Sequence, residues 1–472
     1  MIAGQEVLWT LAEATAAVEG ARSGPPGTAI SGVSIDTRTL VRGDLFVALR
    51  GPNFDGHEFI GAAVSAGAAA ALVRTDNHKI PAITVADTQI GLEALGRAAR
   101  ARSAARIVAV TGSVGKTSTK EMLAAALGSA GATHWSGGSL NNHWGVPLSL
   151  ARLPVSARYG VFELGMNHSG EIRALTAQVR PHIAVITTVE AAHLEFFPSV
   201  EAIADAKAEI FTGVEPGGAA VLNSDNAHYE RLAAAAASAG ITRIVDFGGN
   251  TTAAARLVDV MPEGAGSVVE AVLHGRRLRY RLGLGGRHMA LNSLAALAAA
   301  ELAGTDPVVA AEALAGLSGL AGRGKQVPIA VAGGDALLID ESYNASPASV
   351  RAAIALLGAV PKSSSGRRIA VLGDMRELGE QGPALHRDLA PAIAQAGIDL
   401  VFAVGPLTRG LWQELSAERR GSWSETASGL VPSLAEALRP GDVVMVKGSY
   451  GIRMADIVKP LTAGVAAGGA AC

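Results

Sequence analysis

The run Ile107-Val108-Ala109-Val110, followed by Thr111-Gly112-Ser113-Val114-Gly115-Lys116-Thr117-Ser118, constrains this chain more than any other segment. A buried strand enters a glycine turn, and Lys120-Glu121-Met122-Leu123-Ala124-Ala125-Ala126-Leu127 then reads as a helix. That order sets backbone N–H groups and the positive end of a helix around an anion. Lys116 adds a mobile charge for the outer phosphates, and the Thr117 hydroxyl is suited to Mg²⁺. The spacing Gly-x-x-Gly-Lys-Thr is shorter than the usual phosphate loop, but strand, turn and helix together predict nucleotide binding.

The rest of the chain alternates in the same way. Residues 106–110, 158–164, 182–187 and 219–222 read as buried strands with helices between them, the mark of a parallel sheet. Near 252–284 the pattern changes to antiparallel strands, with charged and apolar residues alternating in Arg277-Leu278-Arg279-Tyr280-Arg281-Leu282. Beyond Gly322, strands at 336–339, 369–372, 400–404 and 443–446 are separated by helical stretches such as Pro347–Ala359 and Pro383–Gln395. The expected fold is α/β in three domains. A small N-terminal substrate domain covers 1–102, and a central P-loop sheet with an antiparallel insertion covers 103–321. A Rossmann-like domain covers 322–472, with an Ala/Gly-rich tail (Thr462–Ala471) expected to fray.

Composition excludes several classes. The net charge of −2 argues against bulk nucleic-acid binding, and Cys472 as sole cysteine rules out an internal disulfide or a multi-cysteine metal site. No stretch is long and apolar enough to span a membrane. Met1–Val18 carries Glu6 and Glu13 without a basic region, so it does not read as a signal peptide, and a cytoplasmic protein is expected.

Chemistry-bearing residues gather at strand ends of the central domain. Glu163 ends an apolar strand beside the phosphate turn, a position that suits Mg²⁺, and His193-Leu194-Glu195 follows the next strand. Lys207 shares a helical stripe with Ile203, Ile210 and Phe211. A buried ammonium is costly, so Lys207 is expected to snorkel, to pair with an acid such as Glu163 or Glu195, or to stay neutral. A neutral amine could capture CO₂ as a carbamate, which turns a cation into a carboxylate-like metal ligand.

These segments together resemble the Mur ligases, the ATP-dependent amino-acid and peptide ligases of peptidoglycan precursor synthesis. The resemblance runs from about Ser31 to Met454. Its carriers include Thr111–Met122, Leu140–Pro147, Glu163–Ile172, Ala192–Glu195, Ala206–Phe211 and Gly286-Arg287-His288 with Asn292. Asp340–Pro347, Leu372–Gly379 and Lys447-Gly448-Ser449 complete the set. The Tyr343-Asn344-Ala345 and Leu372–Gly379 blocks are similar to the branch that adds a dipeptide rather than a single amino acid.

The resemblance implies ATP with two Mg²⁺ sites, one on Thr117 and Glu163, the other on His193 and carbamoylated Lys207. It implies nucleotide contacts from Gly112, Ser113, Val114, Gly115, Lys116, Thr117 and Ser118, an adenine contact at Asn292, and a γ-phosphate contact at Arg323. Glu341 stands where relatives carry an Asp near the ribose, with Asp340 as its alternative, and Ser346 stands where an Asn is common. Ser34, Asp36 and Arg38 resemble the uridine-nucleotide block. Asn141 and Asn142 fall on the diphosphate or muramyl side, and Asn344 on the second-substrate side. The implied partners are UDP-MurNAc-tripeptide and D-alanyl-D-alanine, joined through an acyl phosphate by a monomer. The phosphate turn alone would also suit a phosphotransferase or a noncatalytic nucleotide-binding module.

Overall fold

A computed structural model describes residues 6–75 and 80–468. The first hundred residues build a five-stranded sheet in the order Ala21–Ser23, Ala82–Thr84, Ala70–Val73, Asp44–Val47, Gly32–Ser34, parallel except for the first pair. The helix Thr88–Arg102, capped by Asp87, carries the chain out of this sheet and packs on Gly145–Ala151 of the next unit. The approach is close: a Cβ on Gly96 would stand 3.0 Å from the Pro147 carbonyl. Trp9 donates to the Ala151 carbonyl (2.9 Å) and Arg152 to that of Val33 (2.6 Å). Leu92, Leu95 and Ala99 share one apolar core with Val146, Leu150 and Phe162, so the first two sheets are fused through a common interior.

The central sheet has nine strands, ordered Thr133–Trp135, Tyr159–Glu163, Arg106–Thr111, Ile183–Ile186, Ala219–Asn223, Arg243–Gly248, Ala255–Glu263, Gly266–Leu273, Arg276–Leu282. Pairing is parallel as far as Ala255–Glu263 and antiparallel thereafter. The antiparallel segment is thus no separate insertion: it continues the sheet. Leu278, Tyr280 and Leu282 are buried, while Arg277, Arg279 and Arg281 face out, as the alternation predicts.

The last sheet has six strands, ordered Lys325–Val331, Gly334–Glu341, Val443–Lys447, Arg368–Gly373, Leu400–Val404, Arg420–Ser424, with an antiparallel hairpin at its start. Its apolar clusters contain no residue before Ile329 among the described residues. The stretch expected as one helix over 383–395 is two, Gly382–Arg387 and Ala390–Gln395. The tail is helical through Gly468; its remainder lies outside the described residues. Among the described residues no helix is long and apolar enough to cross a membrane.

His182, just before the strand Ile183–Ile186, accepts the Ile107 N–H at 2.9 Å through Nδ1 and must be neutral to do so. Burial, followed by Arg106 and Arg100, lowers its pKa from 6.5 to about 4. The unfolded chain therefore takes up a proton that the folded one refuses, and stability present above pH 6.5 is lost as pH falls toward 4. Burial shifts His134 and His386 the same way. The variant His182→Asn should show a shallower fall of Tm with decreasing pH across that window; an unchanged slope in calorimetry would count against this origin.

Candidate active site

The phosphate turn is shaped by what surrounds it. Gly112 and Gly115 have φ of 149° and 86°, and a Cβ on Gly115 would meet the Asn292 amide at 2.8 Å. Asn292, on the helix Arg287–Leu302, therefore touches the turn directly. The helix Lys116–Gly128 begins at the turn, so its first N–H groups face the same space. Lys116 folds back to donate to the Gly112 carbonyl at 2.8 Å. Burial lowers its pKa, Glu163 opposes that shift, and the Arg323 charge adds to it.

Glu163 is fully enclosed at the end of Tyr159–Glu163. Its carboxylate accepts from the Thr117 hydroxyl (2.9 Å) and from the Asn141 amide (2.8 Å). A carboxylate and a hydroxyl sharing one point beside an anion cradle can hold Mg²⁺, which takes few protein oxygens and completes its shell with water and phosphate. His193 sits in left-handed backbone (φ 62°) and donates from Nδ1 to Glu377 at 2.6 Å. That bond lowers the pKa of Glu377.

Lys207 is buried on the helix Val200–Ala208, with Ile203, Ile210 and Phe211 buried along the same stripe. Burial, reinforced by Lys116, holds its pKa well below the usual lysine value. Neither expected acid pairs with it. Glu163 is engaged by Thr117 and Asn141, and among the described residues no ion pair joins Lys207 to Glu195. Nearby Glu209 instead accepts from the Gly170 and Arg173 N–H groups, at the start of the helix Glu171–Val179.

The C-terminal sheet supplies the opposite wall. Arg323 reaches toward Ser139 (3.5 Å) and lies over the Tyr343 ring at 4.1 Å; Tyr343 donates to Ser139 at 2.6 Å. Glu341 pairs with Lys447 at 3.2 Å, and Lys447 also donates to the Asn344 carbonyl at 3.0 Å. A cavity of about 750 Å³ is lined by Ser113–Ser118, Asn141, Glu163, His193, Asn292, Arg323, Glu341 and Asn344 together. Ser346 lines it too, and its hydroxyl caps the helix Pro347–Ala359.

Two of the expected site residues have structural partners of their own. Asp340 does not line this cavity: it accepts the Gly322 N–H (2.7 Å) and the Ser342 N–H and hydroxyl (3.1 and 2.6 Å), tying the interdomain link to the last sheet. Asn142 is exposed and caps Gly145–Ala151 by accepting the Trp144 and Gly145 N–H groups. Ser34, Asp36 and Arg38 form a turn on the first domain, with Arg38 forked on Asp36, and the structure does not bring them to the cavity. Ser139, Tyr343 as a bridge, and Glu377 are site residues that reasoning from sequence missed; Glu377 was visible only as part of the Leu372–Gly379 block.

Comparison with known proteins fits this geometry. The family models "Mur ligase family, catalytic domain", "Mur ligase middle domain" and "Mur ligase, glutamate ligase domain" match residues 29–126, 110–300 and 322–450. The chain belongs to the Mur ligase family, a class of ATP-dependent ligases. Among its relatives, the UDP-N-acetylmuramoyl-tripeptide–D-alanyl-D-alanine ligase of Escherichia coli is 36% identical over 96% of this chain and 98% of its own. That of Bacillus subtilis is 33% identical over 92% and 93%. A crystal structure of MurF from Acinetobacter baumannii superposes with a TM-score of 0.83 at 30% identity, covering 96% of this chain and 99% of that one. The MurF ligase of Thermotoga maritima in complex with ADP gives 0.76 at 26%, covering 92% and 98%.

Because Asp340 serves the interdomain link, Asp340→Ala should cost about 1–3 kcal/mol in urea unfolding, the penalty for stranding buried N–H groups. Nucleotide affinity by calorimetry should stay unchanged. A loss of affinity at full stability would return Asp340 to the nucleotide site.

Proposed function

We propose that this chain joins D-alanyl-D-alanine to UDP-MurNAc-tripeptide, using ATP and passing through an acyl phosphate. The observation that carries this reading is the meeting, at one cavity, of the phosphate turn, Glu163 and His193 with Arg323 and the Tyr343–Ala345 segment. The near full-length kinship with ligases of that name supports the choice of substrates. A phosphotransferase would stop at the phosphorylated acceptor and form no amide, and a binding module would need no buried Glu163 and Lys207 beside the turn.

The turn's N–H groups and Lys116 hold the β- and γ-phosphates, and Asn292 faces the base. A carboxylate oxygen of the tripeptide attacks the γ-phosphorus, the bond to the bridging oxygen breaks, and ADP leaves. Lys116 and Arg323 offset the repulsion between two anions and stabilise charge on the transferring group. The dipeptide amine then attacks the acyl carbon. The tetrahedral intermediate expels phosphate, the nitrogen gives up a proton, and the amide closes. Mg²⁺ would be held by Thr117 and Glu163 and by His193 with carbamoylated Lys207, and when bound it supplies positive charge to the phosphates. An ammonium with a strongly depressed pKa suits that modification, because the neutral amine is the form that captures CO₂. We place the reaction in the cytoplasm, in a monomer.

The direct assay supplies ATP, Mg²⁺, UDP-MurNAc-tripeptide and D-alanyl-D-alanine and follows ADP, phosphate and product mass. A product heavier by the dipeptide less water is expected, and its absence refutes the assignment. Lys116→Ala should lower turnover by about 10²–10³-fold or more with the fold intact. Lys207→Ala should be severely impaired and partly restored by acetate; normal turnover without acetate rules out the carbamate.

A further inference from the structure

The contact between His193 and Glu377 joins two domains at one side chain. His193 follows a strand of the central sheet, whereas Glu377 follows Arg368–Gly373 in the last one. Both residues are non-glycine with positive φ, 62° and 63°, a conformation kept only where surroundings impose it. The surroundings of Glu377 do impose it. Met375 N–H donates to His386 Nε2 (2.9 Å), Arg376 N–H donates to the Ser449 hydroxyl (2.8 Å), and Asp374 accepts from Thr408 N–H (2.8 Å). The Glu195 N–H also donates to the Glu377 carbonyl at 3.1 Å, so backbone and side chain of Glu377 both grip the 193–195 segment.

We propose that Glu377 is a positioning residue through which docking of the C-terminal domain completes the second cation site. The inference rests on the reading above that His193 serves that site. A carboxylate on Nδ1–H fixes the imidazole tautomer, leaves the Nε2 lone pair free for a cation and makes it more basic. Here that carboxylate comes from another domain. When the domains separate, His193 loses the tautomer lock and its ring orientation, and the site weakens before any substrate is committed.

The test counts Mn²⁺ bound to the full chain with a nonhydrolysable ATP analogue, by electron paramagnetic resonance titration. Wild type should bind two ions. Glu377→Ala should weaken one of them by about 10–100-fold and leave the other unchanged. Glu377→Gln, whose amide oxygen still accepts from Nδ1–H, should recover most of that loss. Glu377 is partly exposed (side chain 42%), so both variants should melt near wild type. Two ions bound with wild-type affinity by Glu377→Ala would overturn the proposal while His193→Ala still loses one. If His193→Ala also binds both ions normally, the second-cation reading fails, and this inference falls with it.

Discussion

Positive charges forced together around one carboxylate govern this site. Lys116 and Arg323 repel each other, and Lys116 in turn presses on Lys207. Glu163 stands among them, already accepting from Thr117 and Asn141. Lys116 and Arg323, half-buried on the cavity wall, are eased by an arriving anion, and the buried Lys207 by giving up its proton. A polyphosphate answers the first need at the turn. A neutral Lys207 answers the second. The charge that these side chains cannot neutralise among themselves is thereby a source of affinity for a triphosphate.

The three sheets divide the work unequally. The first is welded to the second by a shared apolar core and by the helix Thr88–Arg102 lying on Gly145–Ala151. The third keeps its apolar clusters to itself, and its contacts with the second include Tyr343 and Arg323 on Ser139 and Glu377 on His193, with Leu356 close to Gly285 and Gly286. Polar seams between domains are the ones that open. Of the residues that the third contacts, Ser139 and His193 both lie on the cavity wall.

Much of this was legible in the sequence because the strands that carry the site are buried on both faces. Continuous apolar runs such as 107–110, 183–186 and 443–446 announce themselves by composition alone. The edge strands Thr133–Trp135 and Arg420–Ser424 did not, since half-exposed edges carry polar residues and short lengths. Lys207 was readable as an anomaly because helical spacing puts it among Ile203, Ile210 and Phe211. Asp340 and Asn142 were harder to read for the opposite reason. Asp and Asn serve N–H groups of turns and caps as readily as ligands, and only coordinates tell which N–H groups lie within reach. The role of Glu377 was invisible, because its partner lies 184 residues away.

Rigid fusion of the first two domains also sets how far the Ser34–Arg38 turn stands from the phosphate turn. Ser34, Asp36 and Arg38 close a turn on a domain fixed to the phosphate turn, so their separation from Lys116 is set by the shared core and cannot shrink by hinge motion between those two domains. A substrate long enough to span from that turn to the cavity must therefore be extended. A nucleotide diphosphate linked through a sugar to a peptide, the substrate of the proposed reaction, has that shape. On the proposed reading, a fused pair of domains would set that reach, and a cavity walled by the third would shield a reactive acyl phosphate from water.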